Sequence, residues 1–209
     1  MEYKKQVDKT HYSFERYFHK VRWMSYWYQL KEIVSRPEIK TVLDIGPGTD
    51  FLRSNLKIFR PDITYHSLDL AADIEPDVFG SVLKIPLRDK SYDLVSAFQV
   101  LEHIEFKDFT VALTEMKRVS KQYVFISLPH AGSSFRLQMK VPIIPQIQIA
   151  IRVPLPKKHV FNGEHYWEIG KKGYSPDKIK GLLKAQLTVV DEYVPFENQY
   201  HHFYLGKVK

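Results

Sequence analysis

The stretch Thr41-Val-Leu-Asp-Ile-Gly-Pro-Gly-Thr-Asp-Phe-Leu52 constrains this chain more than any other. Thr41 to Ile45 is a short apolar run with one acid near its end, the pattern of a strand buried on both faces of a parallel sheet. Gly46 and Gly48 follow where the chain must turn sharply without side-chain bulk, and Phe51 to Phe59 has helical spacing. A strand, a glycine bend and a helix in that order bring backbone close to a ligand at the carboxyl edge of an open sheet. The expected ligand is a nucleotide-type cofactor.

The rest of the chain supplies the sheet. Ile63 to Leu68 reads as a second strand with Asp69 at its end, roughly twenty residues after the bend, where an open nucleotide-binding sheet places a carboxylate for ribose hydroxyls. Val78 to Leu87 reads as a short third strand with its exit loop, Asp93 to Phe98 as a fourth and Tyr123 to Leu128 as a fifth, with a helix over Phe109–Val119 between the last two. Pro176, behind Ser175, opens a final helix to about Ala185. Thr188–Val194 and Tyr200–Val208 are separated by so short a link that they must pair antiparallel. The fold class is therefore α/β, a Rossmann-like seven-stranded mixed sheet with helices on both faces, in one domain spanning residues 1–209.

Two segments depart from this rhythm. Residues 11–35 read as one amphipathic helix, its inner stripe Phe14, Tyr17, Phe18, Val21, Met24, Ser25 and Tyr28, stopped by Pro37. The stripe extends to Ile33, and the helix forms an N-terminal cap over residues 1–40, with Tyr12, Arg16, Tyr17, His19 and Trp23 placed to close over a ligand and Arg16 suited to a carboxylate. Residues 131–173 hold four prolines among apolar residues, and Ile147, Ile149, Ile151 and Val153 alternate as in an extended strand. This is a substrate-side insertion, and its part 141–156 is a lid, a dimer surface or a membrane contact.

Of 209 residues none is cysteine, which removes disulfides, thiolate catalysis and cysteine-ligated zinc. The start lacks a signal peptide's apolar core and no apolar run spans a bilayer, so a cytoplasmic location is expected. The net charge of +7 raises a nucleic-acid partner. The lysines and arginines are scattered, however, which favours an ordinary basic surface or attraction to an acidic small-molecule substrate; Val141–Leu155 would suit a lipid-linked one, and a monomer or homodimer is expected.

VLDIGPGTDFL, Asp69, IPLRDKSYDLVSAFQVLEHI and the ending YHHFYLGKVK together resemble the class I S-adenosylmethionine-dependent methyltransferases, specifically the type 11 methyltransferase domain group. The resemblance covers most of the chain from Thr41 and is weakest over 131–173. It implies strand order 3-2-1-4-5-7-6 with strand 7 antiparallel, and S-adenosylmethionine as cofactor with S-adenosylhomocysteine as product. It implies cofactor contacts from Asp44, Gly46, Pro47, Gly48, Asp69, Leu70, Ser81, Val82, Phe98 and Gln99. Asp50 stands where the family usually has glycine, and Ser81 where it usually has an adenine-contacting acid. An acid at Asp50 would repel a dinucleotide's pyrophosphate but tolerates a sulfonium cofactor that carries an ammonium group.

Methyl transfer to an oxygen or nitrogen of a small molecule is the expected reaction. RNA or protein methylation and cofactor binding without catalysis are the alternatives. An Asn-Pro-Pro-Tyr or Asp-Pro-Pro-Tyr sequence after the fourth strand is absent. His130, just beyond the fifth strand, and His165, at the insertion's end, are the candidate bases, since an imidazole titrates near neutrality. The spacing of His159, His165 and nearby acids matches no compact ligand motif, so no metal is expected. Glu102 and His103, adjacent at a helix start, should point apart rather than at one atom. Of His201 and His202 in the last strand, one should be exposed and one packed.

Overall fold

A computed structural model describes residues 14–154 and 157–209. Seven strands form one sheet: β1 (Thr41–Ile45), β2 (Thr64–Asp69), β3 (Val78–Phe79), β4 (Tyr92–Phe98), β5 (Ser120–Pro129), β8 (Leu187–Tyr193) and β9 (His201–Val208). Their order is β3-β2-β1-β4-β5-β9-β8, and β9 alone runs against the others. That is the expected order with the last strand antiparallel. The third strand is shorter than its apolar run suggested, because Ser81 onward turns back into a bridge with Lys84.

Both faces of the sheet are covered, and the pleat divides the core between them. Leu43, Ile45, Val95 and Ala97 face α4 (Phe109–Val119) and α5 (Pro176–Gln186). Val42, Leu94, Phe125, Phe203 and Leu205 face α3 (Phe51–Phe59) and Ile33 of α2 (Lys20–Val34). Ser175 caps α5 by accepting a hydrogen bond from the Lys178 amide, with Pro176 just inside, as its sequence predicts.

The N-terminal helix differs from its expected form. It is two pieces, α1 (Phe14–Tyr17) and α2, separated where His19 turns extended and its ring accepts from the Arg22 amide. The buried face of α2 is Ser25 and Ile33, as the stripe placed them, together with Gln29 and Glu32, while Phe14, Trp23 and Trp27 stay exposed. Polar side chains go inward because the surface they meet is polar: Asn198 donates to Ser25 Oγ at 2.8 Å, and Tyr28 donates to Glu197 at 3.3 Å. Arg60 locks this cap down by donating to the backbone carbonyls of Arg36 (3.2 Å) and Ile39 (2.8 Å).

The alternating run in the insertion is strand β7 (Ile147–Val153). Its partner β6 (Ser133–Met139), which the sequence reading missed, pairs with it antiparallel in a separate two-stranded ribbon. Among the described residues no helix is long and apolar enough to cross a membrane.

Candidate active site

The bend after β1 is built from left-handed backbone. Gly46 has φ +66°, Gly48 φ +59° and Asp50 φ +57°, so three of five successive residues hold a conformation that side chains resist. At Gly46 a Cβ would sit 2.5 Å from Val100 Cγ2, which explains why glycine is needed there for shape as well as for torsion. The Gly46 amide donates to the Leu68 carbonyl, tying the bend to the end of β2.

Asp44 lies beneath this bend, buried, its carboxylate accepting from Ser96 Oγ (2.6 Å) and Tyr65 Oη (2.8 Å). Burial pushes it up to about 6, against the pull of those two hydroxyls. Asp69 ends β2 with one carboxylate oxygen taking the Ala71 amide at 2.7 Å. Asp77 braces that strand: it accepts from the Ser67 amide (2.7 Å) and from Arg53 (2.6 Å) of α3. Ser81 Oγ is turned to the Leu83 amide, and Val82 is packed into the core.

A pocket opens above the bend, lined by Asp44, Gly46, Pro47, Phe51, Leu52, Phe98 and Gln99 from the sheet side. Its other wall is Tyr17, Arg22, Tyr26 and Gln29 from the N-terminal helices, with His201 from β9. The cap does close over the glycine bend: Tyr26 stacks on Phe51 with ring centroids 4.5 Å apart. Arg22 is the basic residue that lines this pocket among the described residues. Its guanidinium lies 3.9 Å over the Tyr17 ring, and its buried Nε has no hydrogen-bond partner. Tyr12 and the Arg16 side chain lie outside the described residues. Arg22 was visible only as one of several basic residues on that helix, without a signal to single it out. Gln99 holds φ +57°, its amide and side chain both fixed to Ser127.

A second group of side chains lies just past Gln99. Glu102 is fully buried with neither carboxylate oxygen hydrogen-bonded, and burial raises it to about 7. His165 Nε2 faces it at 4.0 Å, while His165 Nδ1 bonds Glu168 at 2.9 Å. Tyr200 donates to the same Glu168 oxygen at 2.9 Å. Burial by itself would lower His165; the bond to Glu168 and the nearby carboxylates Glu102 and Glu164 overcome it and raise the imidazole.

Glu102 and His103 were expected to point apart, yet both meet at His165. One ligand-capable atom from each of Glu102, His103 and His165 lies within 4.8 Å of the others. They start on a short 3-10 turn, and His165 arrives from the insertion to sit between them. Spacing along the chain could not reveal this, because about sixty residues separate the partners.

His130 is elsewhere. It is buried at the end of β5, its ring stacked on His202 at 5.1 Å, with Nδ1 of each 3.1 Å apart. Burial, then Arg152 and His202, push it down to about 3. His201 and His202 are both buried, contrary to the expectation that one would be exposed and one packed. The reason is that β9 lies between β5 and β8 with both faces covered.

A family model described as a methyltransferase domain matches residues 43–126, from the first strand to the fifth. No curated protein matches the sequence. Among solved structures, an S-adenosylmethionine-dependent methyltransferase from Aquifex aeolicus shares 18% identity over 97% of this chain and 100% of that one, with TM-score 0.60. The 1,6-didemethyltoxoflavin-N1-methyltransferase of Burkholderia thailandensis, solved with its namesake ligand and S-adenosylhomocysteine, shares 14% over 88% and 77%, TM-score 0.58. The small RNA methyltransferase HEN1 shares 14% over 90% of this chain and 25% of that one, TM-score 0.60. At such identities the structural likeness bears on fold alone.

Proposed function

We infer, from a chain whose residues 43–126 belong to the class I S-adenosylmethionine-dependent methyltransferase family, that it methylates an oxygen or nitrogen atom of a small-molecule acceptor. The observation that carries the cofactor assignment is the pocket over the Gly46–Asp50 bend, which has Asp44 beneath it and Arg22 opposite. Its polar inventory fits an amino acid joined to a nucleoside. Arg22, with a buried and unpartnered Nε, suits a carboxylate; Asp44 at the floor suits an ammonium. Outside the residues that line this pocket, Asp69 at the end of β2 suits ribose hydroxyls, with Leu70 beside it, and the Val82 amide and Ser81 suit an adenine. Pro47, Phe98 and Gln99 shape the wall, and Gly48 turns the bend beneath it. A phosphate ligand fits badly, because Asp50 stands at the start of α3.

The bound cofactor supplies a methyl carbon already activated by its sulfonium, so the protein's work is alignment, exclusion of water and removal of a proton. We assign that removal to His165 rather than His130. Glu168 accepts from Nδ1–H, which fixes the tautomer and leaves Nε2 as the lone-pair nitrogen. With that methyl donor bound, Nε2 would take the acceptor's O–H or N–H proton, leaving the methylated acceptor neutral and S-adenosylhomocysteine as the leaving group. His130, held near 3, accepts a proton too weakly at neutral pH.

The deciding experiment has two arms. Calorimetry with S-adenosylmethionine and S-adenosylhomocysteine should give saturable binding to both; none with either at millimolar concentration overturns the cofactor assignment. Transfer of a tritiated methyl group should then label a metabolite or lipid extract. Label entering only RNA or protein overturns the acceptor class while leaving the cofactor reading intact.

A further inference from the structure

The ribbon β6–β7 has two unlike faces. Its register sets Phe135 opposite Ile151, Leu137 opposite Ile149 and Met139 opposite Ile147, all six on one face. All six are exposed, Phe135 at 69% and Ile151 at 60%. The other face carries Ser134, Arg136, Gln138, Gln148, Ala150 and Arg152. That polar face is the one fastened to the body: Arg136 donates to the Phe196 and Glu197 carbonyls, and Arg152 to those of His130 and Gln199. The ribbon is thus anchored by its arginines with its apolar face turned outward. At its tip the exposed aliphatics continue through Val141, Ile143 and Ile144, and Ile143 stands wholly in solvent. Ile143 also has φ +73°, a conformation a β-branched residue adopts at a cost.

Charge around the ribbon has one sign. No Asp or Glu occurs between Glu115 and Glu164, a span that contains Arg136, Lys140, Arg152, Lys157 and Lys158. Lys140 is exposed at the tip, and Lys157 and Lys158 are exposed past the end of β7, at the ribbon's opposite end, where the Lys157 carbonyl accepts from the Lys172 amide. We propose that this face docks the protein on an anionic phospholipid surface, with Val141, Ile143 and Ile144 entering the headgroup boundary and the three lysines meeting lipid phosphates. Aliphatic side chains flanked by lysines are the combination that binds such an interface, and anionic lipids favour each added cation. A second copy fits less well, since two such faces would oppose like charges. The ribbon has two unpaired edges, so it lies at the interface and does not span the bilayer. The proposal stands apart from the choice of methyl acceptor.

Co-sedimentation of the full chain tests it, with vesicles of phosphatidylcholine alone and of equal parts phosphatidylcholine and phosphatidylglycerol. The protein should pellet with the anionic vesicles, and high salt should release it. I143S/I144S should weaken binding by about tenfold or more, and K157Q/K158Q by a smaller factor. Both variants alter exposed residues, and unchanged melting temperatures show that they fold. No binding to anionic vesicles overturns the proposal, as does binding that I143S/I144S leaves intact. Sedimentation velocity adds a third overturning result: a dimer that I143S/I144S dissociates would mean that a second copy covers this face.

Discussion

His165 Nδ1 lies 2.9 Å from Glu168 Oε1, and this one bond ties the insertion's histidine to a carboxylate that Tyr200 also holds. A base must be neutral to act, so activity should rise as pH climbs through the His165 pKa, which the structure sets above 6.5. Glu168→Gln removes the charge that raises it while keeping a partner for the ring. The acid limb of the pH–rate profile should move down by about one unit, with the maximal rate reduced about tenfold or more. Titration of the His165 ring protons by NMR should move the same way. An acid limb that does not shift, in a variant whose ring titration does, removes His165 as the base.

Glu102 should leave its own mark on stability. Its carboxyl is about 7 when folded against an ordinary 4.5, so the folded chain holds the proton more tightly. That stability is complete below about pH 4.5 and is lost as pH rises through about 7. Glu102→Gln removes the dependence. Denaturant unfolding at pH 5 and pH 7.5 should show the parent losing about 2–3 kcal/mol relative to Glu102→Gln across that interval. Parallel curves for the two proteins would mean that Glu102 is not held neutral by burial.

The sheet was legible because its signals are local. Thr41–Ile45, Phe51–Phe59 and Phe109–Val119 carry their own period and ends, and the structure gives the same boundaries. What depended on remote partners was not legible. Strand β6 carries its own alternation in Phe135-Arg-Leu-Gln-Met139, which the sequence reading passed over; its partner and register against β7 are what the sequence does not state. Likewise α2 buries Gln29 and Glu32 beside the expected Ser25, and neither these two polar residues nor the Asn198 partner of Ser25 is recorded in a helical stripe. At the candidate site, Asp44 and Gly46 stand out in one motif. Arg22, His201 and the convergence of Glu102 with His165 arise from three distant segments.

Gly46 has two separable reasons to be glycine. Gly46→Ala should cost about 1–3 kcal/mol and weaken cofactor binding at least tenfold, from the left-handed φ and from the 2.5 Å approach to Val100. Adding Val100→Ala relieves the contact but leaves the torsion. Calorimetry and urea unfolding of the double variant should therefore recover part of the loss beyond what Val100→Ala alone predicts. Strict additivity of the two substitutions would show that the contact contributes nothing.

Asp50 carries the remaining question about the bend. It occupies φ +57° at the start of α3 without a side-chain cap bond, and its carboxylate pairs with Arg53 Nε at 2.8 Å. The two side chains are 44% and 21% exposed, so the pair is worth about 0–1 kcal/mol. Glycine relieves the left-handed cost that aspartate bears, which offsets the lost pair and the added freedom of the unfolded chain. Asp50→Gly should therefore stay within about 0.5 kcal/mol of the parent, while Asp50→Ala, which keeps the torsion and loses the pair, should fall by about 1–2 kcal/mol. Urea unfolding of both variants measures the difference, and equal stabilities would deny that the torsion sets the residue's cost. Calorimetry with S-adenosylmethionine on Asp50→Gly should show binding retained. A loss of tenfold or more would instead make this carboxylate a direct contact of the cofactor's ammonium group, a role the bend's geometry otherwise leaves to Asp44.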